Sequence, residues 1–340
     1  MQSKKIKVAI NGFGRIGRLT ARNLLERFSQ QVQIVAVNDL TDTQNLAYLF
    51  KYDSVYRQFS PKIEAQNDFI NIENHGKIQV FSEKDPKNLP WSELGIDVVI
   101  ESTGLFLTSE SAKLHIDAGA KKVVLSAPAK SKDIPTVVMG VNSEIISQTS
   151  SKIISNASCT TNCMAPAMRV LDQIASIQNV FGITVHAYTA TQNLQDAPNR
   201  KSLRSGRAAA INAIPASTGA AKAVELVLPQ LKGKLNLSAL RIPVITGSMV
   251  YLTSNVQHSV DVDTINQAFV KASEGELKGI LSYTQQEIVS GDIVMDSHSC
   301  IFDASLTEVQ DQMVKIVAWY DNEWGYSSRL SELVVEFGKA

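Results

Sequence analysis

The stretch Ile6-Lys7-Val8-Ala9-Ile10-Asn11-Gly12-Phe13-Gly14-Arg15-Ile16-Gly17 decides how the rest of the chain is read. An apolar run short enough for a buried strand stops at Asn11-Gly12, and glycines follow at 12, 14 and 17 in the spacing Gly-x-Gly-x-x-Gly. Ile16, Leu19, Leu24, Leu25 and Phe28 then recur at helical spacing. Glycines between a strand and a helix allow a tight turn, close approach of backbone to a pyrophosphate, and close packing of helix on strand. The helix N-terminus offers free N–H groups to the phosphates. A second strand, Gln33 to Val37, leads to Asp39, 22 positions after Gly17, where a carboxylate can accept hydrogen bonds from a ribose diol and repel a 2′-phosphate. The reading is a dinucleotide site that prefers NAD to NADP.

The alternation continues beyond this motif. Strands are expected at Asp97 to Ile100, Lys122 to Leu125 and Thr136 to Val141, a helix at Ser109 to Ala118, and a hairpin or meander at Lys62 to Phe81. Strands alternating with helices imply right-handed crossovers and a mostly parallel sheet. Ser102-Thr103-Gly104 and Ser126-Ala127-Pro128 follow two of these strands, at the ends where an open α/β sheet binds its ligand. From about Ser158 the pattern changes. A helix near Thr160 to Ile174, a strand at Ile183 to Thr189 and a polar, Arg-rich loop from Gln192 to Arg207 precede a helix at Ala220 to Leu228. Two β-rich stretches, Ala239 to Gln257 and Gln312 to Trp319, and a final amphipathic helix, Tyr326 to Phe337, complete the pattern.

The fold class is therefore α/β: a Rossmann-type parallel sheet in residues 1–157 and a second, α+β catalytic domain in 158–320, with the helix of 321–340 expected to pack back on the first domain. A length of 340 residues suits two hydrophobic cores and excludes a small disulfide- or metal-stapled scaffold. Lys plus Arg and Asp plus Glu each number 33, so no global field draws the chain to nucleic acid or to an anionic membrane, and any anion site must be local. Three cysteines, an odd number, argue against a disulfide framework and for a reducing compartment. With no signal-peptide core and no apolar run of membrane-spanning length, the expected location is the cytoplasm.

Ser155-Asn156-Ala157-Ser158-Cys159-Thr160-Thr161-Asn162-Cys163 sets a thiol after an apolar strand and at the start of a helix, where N–H groups stabilise a thiolate and lower its pKa. Two thiols without a nearby Cys/His pair are too few for zinc, so no metal is expected. Cys163 reads as a structural thiol and Cys300 as a core residue. His186, on a predicted strand, becomes interesting only if it meets Cys159. An imidazole there would hold the thiolate and exchange a proton with a substrate oxygen.

Four motifs, Asn-Gly-Phe-Gly-Arg-Ile-Gly-Arg (11–18), Ser-Asn-Ala-Ser-Cys-Thr-Thr-Asn-Cys (155–163), Ala-Ser-Thr-Gly-Ala-Ala-Lys-Ala (216–223) and Trp-Tyr-Asp-Asn-Glu-Trp-Gly-Tyr (319–326), resemble the signatures of the phosphorylating glyceraldehyde-3-phosphate dehydrogenases of bacterial type. They stand in family order and span nearly the whole chain. The resemblance implies NAD-dependent oxidative phosphorylation of D-glyceraldehyde 3-phosphate to 1,3-bisphosphoglycerate in glycolysis or gluconeogenesis. Cys159 would be the nucleophile, carrying hemithioacetal and thioester, and His186 the acid–base group. By the same resemblance Gly12, Gly14, Arg15, Ile16, Gly17, Asp39, Lys84, Ser126 and Asn322 hold the cofactor. Thr189, Thr191 and Arg241 bind the substrate phosphate, and Ser158, Thr160, Arg204, Thr218 and Gly219 complete the anion pockets. Many relatives carry two adjacent arginines in the loop where Arg204 here is followed by Ser205-Gly206-Arg207. A homotetramer is implied by the family alone.

Two other readings compete. Erythrose-4-phosphate dehydrogenase, a sister family, shares the cysteine motif, but usually lacks the Thr-Ala-Thr-Gln of 189–192 and the Ser-Thr-Gly-Ala-Ala-Lys of 217–222. A non-catalytic NAD-binding or adhesive protein would have no use for an intact Cys159, His186 and two anion pockets.

Overall fold

The computed structural model describes residues 4–200 and 202–340. In chain order the elements are β1 (Ile6–Asn11), α1 (Arg15–Arg27), β2 (Val32–Asn38), α2 (Thr43–Lys51), β3 (Ile63–Gln66), β4 (Phe69–Ile72), β5 (Gly76–Phe81), α3 (Trp91–Leu94), β6 (Val98–Glu101), α4 (Ser109–Asp117), β7 (Lys122–Leu125), α5 (Ile145–Gln148) and β8 (Ile153–Ser155). There follow α6 (Cys159–Ala175), β9 (Ile177–Ala187), β10 (Ile214–Ala216), α7 (Ala220–Val227), β11 (Leu235–Ile242), β12 (Ser248–Val256), α8 (Val262–Glu274), β13 (Leu281–Thr284), β14 (Cys300–Asp303), β15 (Glu308–Gln310), β16 (Met313–Tyr320) and α9 (Trp324–Lys339).

Two compact units divide the chain. The first holds the residues through Val137, Ser143–Ala157 and Ser327–Ala340; the second holds Val138–Asn142 and Ser158–Tyr326. In the first unit eight strands run in the order β3-β4-β5-β2-β1-β6-β7-β8. From β5 to β8 every pairing is parallel, and β3 and β4 add an antiparallel meander. The order reverses at β1, which pairs β2 on one side and β6 on the other. A crevice opens at such a switch point beyond the C-terminal strand ends, here at Asn11 and Glu101. Val8, Ile10, Val98, Val99, Ile100, Val123 and Val124 are fully buried, as strands covered on both faces must be. The last helix stays with this unit: Ser328 Oγ donates to Asn23 Oδ1 on α1, and the Lys122 ammonium lies 4.6 Å over the Phe337 ring.

One predicted strand is absent. Of Thr136 to Val141 only Thr136 forms a bridge, to Ser155, and the chain turns at Gly140 (φ +79°), where Asn142 Oδ1 accepts from Val138 N. The place beside β7 belongs instead to β8.

The second unit carries a sheet in the order β10-β11-β9-β12-β16-β14-β13, with β15 also on β16. It is largely antiparallel; β9 with β11 and β13 with β14 are the parallel pairs. Helix α6 packs on β9, β12, β14 and β16 and touches α7 and α8. Its first residue is Cys159, so the sheet supports the helix end that carries the thiol.

Candidate active site

In the first unit the glycine motif forms a cradle. Gly12 takes φ +90°, closed to most side chains, and a Cβ there would lie 2.7 Å from Thr103 N. A Cβ on Gly17 would meet Gly12 O at 2.2 Å, so helix and strand approach as closely as glycine permits. Gly14 faces open space. A cavity of about 540 Å³ lies here, lined among others by Gly12, Gly14, Asp39, Lys84, Ser102 and Thr103. Asp39 Oδ2 accepts from Phe13 N at 2.8 Å, which fixes its carboxylate against the glycine turn. The shape suits a dinucleotide: Gly12 and Gly17 allow the close approach of turn, strand and helix, and Gly14 leaves its side of the cavity open to a pyrophosphate. Of the other predicted cofactor residues, Arg15 is ion-paired with Asp53, Ser126 N bonds Glu101 O, and Arg15, Ile16, Gly17 and Ser126 are not among the lining residues.

Beneath the cradle lies a buried polar network that the sequence reading missed. Both Glu101 and His115 are fully buried. The Glu101 carboxylate accepts from Asn11 Nδ2 (2.6 Å), from His115 Nε2 (3.0 Å), and from the Thr103 N–H (2.8 Å) and hydroxyl. Trp91 Nε1 donates to His115 Nδ1 at 3.1 Å, so the imidazole proton sits on Nε2 and faces the carboxylate. Asn11 Oδ1 in turn accepts from Asn38 Nδ2, and Asn38 holds Glu83 through two backbone bonds. The ends of β1, β2 and β6 are thereby tied together under the cavity. Its one sequence signal was an acidic residue ending the apolar run Val98 to Ile100.

In the second unit Ser158 caps α6, its Oγ accepting from Thr161 N at 3.1 Å, and the chain enters the cap through Ala157 at φ +55°. For a residue other than glycine that conformation costs about 1–2 kcal/mol, a strain located next to the thiol. Cys159 Sγ stands 3.4 Å from His186 Nε2. His186 and Arg241 are register partners on the parallel strands β9 and β11. Arg241 Nη1 lies 2.5 Å from His186 Nδ1 and donates to Ala187 O at 2.9 Å; His186 Nδ1 is 2.7 Å from that same carbonyl. Tyr320, unremarked beyond its place in the 319–326 motif, bonds Thr160 Oγ1 (3.0 Å) and Thr184 Oγ1 (2.8 Å), and its ring meets the imidazole edge to face.

Burial pushes the Cys159 thiol up, against the pull of the Arg241 charge, the Thr160 hydroxyl and the N–H groups of Thr160 and Cys159. Burial, then the Arg241 charge, pushes His186 down to about 3, against the Ala187 carbonyl. The lowered thiol pKa expected from the helix N-terminus alone is thus not found, because desolvation outweighs the helix N–H groups. Charge on one partner alone is penalised here. Opposite charges on both at 3.4 Å would compensate each other. Cys163 and Cys300 are free thiols with no exposed surface, and burial pushes Cys163 well up.

The remaining predicted residues fall into separate groups. Thr189 and Thr191 bond each other through their hydroxyls (3.0 Å). The Thr218 hydroxyl accepts from Ala220 N, and Gly219 precedes α7. Arg204 is exposed in a short turn, and Arg207 pairs with Asp196 instead. Asn322 is buried, with Oδ1 accepting from the Gly247 N–H and the Ser248 hydroxyl, which leaves its Nδ2 hydrogens for a ligand acceptor. Among the described residues no cluster of three or more His, Cys, Asp or Glu side chains could hold a metal.

Comparisons with known proteins agree with this geometry. Residues 6–109 match the model of the glyceraldehyde 3-phosphate dehydrogenase NAD binding domain, and 158–322 match that of the C-terminal domain of the same family. The chain is 52% identical over 339 residues to a glyceraldehyde-3-phosphate dehydrogenase of Mycobacterium tuberculosis, covering 98% of this chain and 99% of the relative. It is 53% identical over 336 residues to one of Streptomyces coelicolor, covering 98% of each. With a glycine cradle for NAD in one unit and a thiol–imidazole pair at a helix start in the other, the chain belongs to the glyceraldehyde 3-phosphate dehydrogenase family.

Proposed function

We propose that the chain oxidises D-glyceraldehyde 3-phosphate with NAD and inorganic phosphate to 1,3-bisphosphoglycerate, a reading supported by relatives that bear the name glyceraldehyde-3-phosphate dehydrogenase. The observation that carries this reading is the 3.4 Å approach of Cys159 Sγ to His186 Nε2 at the first residue of a capped helix. The thiolate of the ionised pair attacks the aldehyde carbon, and the resulting alkoxide takes the proton from Nε2. Bound NAD supplies the acceptor for the hydride that leaves the hemithioacetal carbon. Nε2 receives the hydroxyl proton at that moment, and a thioester remains on Cys159. A phosphate oxygen then attacks the thioester carbonyl, polarised by the imidazolium, and Sγ departs as thiolate. The acyl phosphate retains the energy that hydrolysis of the thioester would dissipate.

Arg241 is assigned to the substrate phosphate together with Thr189 and Thr191, since a guanidinium fork suits phosphate. Ser158, Thr160, Thr218, Gly219 and Arg204 are assigned to the two anion pockets, and Asn322 to the nicotinamide carboxamide. Arg15, Ile16, Gly17 and Ser126 are retained as cofactor residues on the family pattern, through backbone and packing. A homotetramer is part of the same reading, supported by the exposed Leu194, Leu203 and Ile211 around the arginine-rich loop. So is a cytoplasmic location, supported by three free thiols; no helix among the described residues is long and apolar enough to cross a membrane. The test is a side-by-side assay of glyceraldehyde 3-phosphate and erythrose 4-phosphate with NAD. Higher kcat/KM on the triose is expected, and a preference for the tetrose would overturn the substrate assignment.

A further inference from the structure

Three strand ends meet at Ser248, the first residue of β12. On one side Ser248 is in register with Tyr320 of β16; on the other the ladder to β9 runs no further than Met249, opposite Val185. The chain turns away at Gly247, where φ is +87° and a Cβ would lie 2.4 Å from Ser290 O. A side chain takes over where the ladder stops: Ser248 Oγ accepts from Ala187 N at 3.1 Å. The single hydrogen of that hydroxyl is donated to Asn322 Oδ1 at 2.9 Å. Gly247 N donates to the same oxygen at 3.2 Å. A backbone N–H can only donate, so it decides which end of the Asn322 amide faces it, with Oδ1 turned in and Nδ2 turned out. Ala187, Ser248 and Asn322 are all buried. The backbone beside Asn322 is held by its neighbour, since Asp321 Oδ1 accepts from Glu323 N, Trp324 N and the Thr246 hydroxyl.

We propose that Ser248 is a positioning residue for the cofactor: its hydroxyl, oriented by the Ala187 N–H, holds the Asn322 amide so that Nδ2 donates to the nicotinamide carboxamide. The inference rests on the reading of Asn322 as the partner of that carboxamide, and adds the group that aims it. Gly247 N alone sets the flip of the amide but leaves it free to swing about one bond; a second donor on Oδ1 fixes its rotation as well. The anchor matters too. Ala187 bonds Ser248 through its N–H, while its carbonyl accepts from Arg241 Nη1 and lies 2.7 Å from His186 Nδ1. The amide assigned to the nicotinamide and the imidazole assigned to proton transfer are thereby tied to one residue at the end of β9.

The test is calorimetric binding, on the full chain, of NAD and of ADP-ribose, which carries all of the cofactor except the nicotinamide ring. Ser248→Ala should weaken NAD by about three- to tenfold, the range of one hydrogen bond, and leave ADP-ribose within about twofold of the parent. A merely structural defect weakens both ligands alike, and that result overturns the proposal. Asn322→Ala should lower the preference for NAD over ADP-ribose at least as far, and adding Ser248→Ala to it should lower the preference no further; an undiminished further loss overturns the proposal. A parental preference in Ser248→Ala beside a lowered one in Asn322→Ala overturns the proposal alone. Parental preferences in both variants overturn the carboxamide assignment of Asn322 and the proposal with it. Should Ser248→Ala fold poorly, Ser248→Cys, close in size but a weaker donor, takes its place, and a parental preference there overturns the proposal equally.

Discussion

Cys159 Sγ and His186 Nε2 lie 3.4 Å apart although 27 positions separate the residues, one heading a helix and the other near the end of a strand beneath it. Since neither group carries charge cheaply alone in this buried place, each depends on the other to ionise. Replacing His186 by Asn removes the imidazole that stands at the sulfur. The alkylation profile of Cys159 should then move to higher pH, because the thiol's upward push from burial loses its compensating cation. In the parent, Cys159 should be modified first, Cys163 and Cys300 having no exposed surface. A His186→Asn profile equal to that of the parent, or labelling of Cys163 before Cys159, would refute the pairing.

Asp39 is fixed by the Phe13 N–H at the rim of the glycine cradle, where a 2′-phosphate would meet its charge. NAD should be preferred over NADP by a wide margin in kcat/KM, and Asp39→Ala should narrow that margin by relieving the repulsion. Comparable kcat/KM values for both cofactors in the parent protein would contradict the assignment.

Arg241 faces both the imidazole and the proposed substrate phosphate. Arg241→Ala should weaken use of glyceraldehyde 3-phosphate by about 1.5–3 kcal/mol in kcat/KM, the value of a charge-assisted contact, and affect unphosphorylated glyceraldehyde much less. Loss of the guanidinium charge should also let the His186 pKa rise, since that charge is one of the two causes holding it down. The shift can be followed by nuclear magnetic resonance of the imidazole. Equal losses on both aldehydes would show that Arg241 acts only as a structural residue.

Glu101 accepts from the buried Asn11 and His115 side chains and from the half-buried Thr103. Glu101→Ala would strand the Asn11, His115 and Thr103 donors, at about 1–3 kcal/mol for each that stays unsatisfied. The urea midpoint should fall markedly and NAD binding should weaken, because Thr103 and Asn11 border the cradle. A midpoint equal to the parent's would show that the network contributes nothing to stability.

What the sequence made legible was local. The turn from Ile10 to Gly17 needs glycines at fixed spacing, and the capped start of α6 is written in Ser158 and Thr161. Thr136 to Val141 was misleading because an apolar, β-branched run also suits a buried turn, and nothing local says that β8 takes the neighbouring place. Helix α8 passed unnoticed although Asp261 caps it and Ile265, Phe269 and Ala272 mark its buried face. The contacts that finish the site are long-range: Arg241 to His186 spans 55 positions, Tyr320 to Thr160 spans 160. Such pairs follow from strand order and register, which no short window of sequence contains.

The most direct test is a rapid-mixing measurement of reduced nicotinamide with glyceraldehyde 3-phosphate and NAD, with and without inorganic phosphate. A thioester on Cys159 predicts, without phosphate, a burst of about one reduced nicotinamide per active site followed by near arrest, as befits an accumulating acyl-enzyme; with phosphate it predicts continuous turnover. Sustained turnover at the same rate without phosphate, or an undiminished burst in Cys159→Ser, would contradict the account.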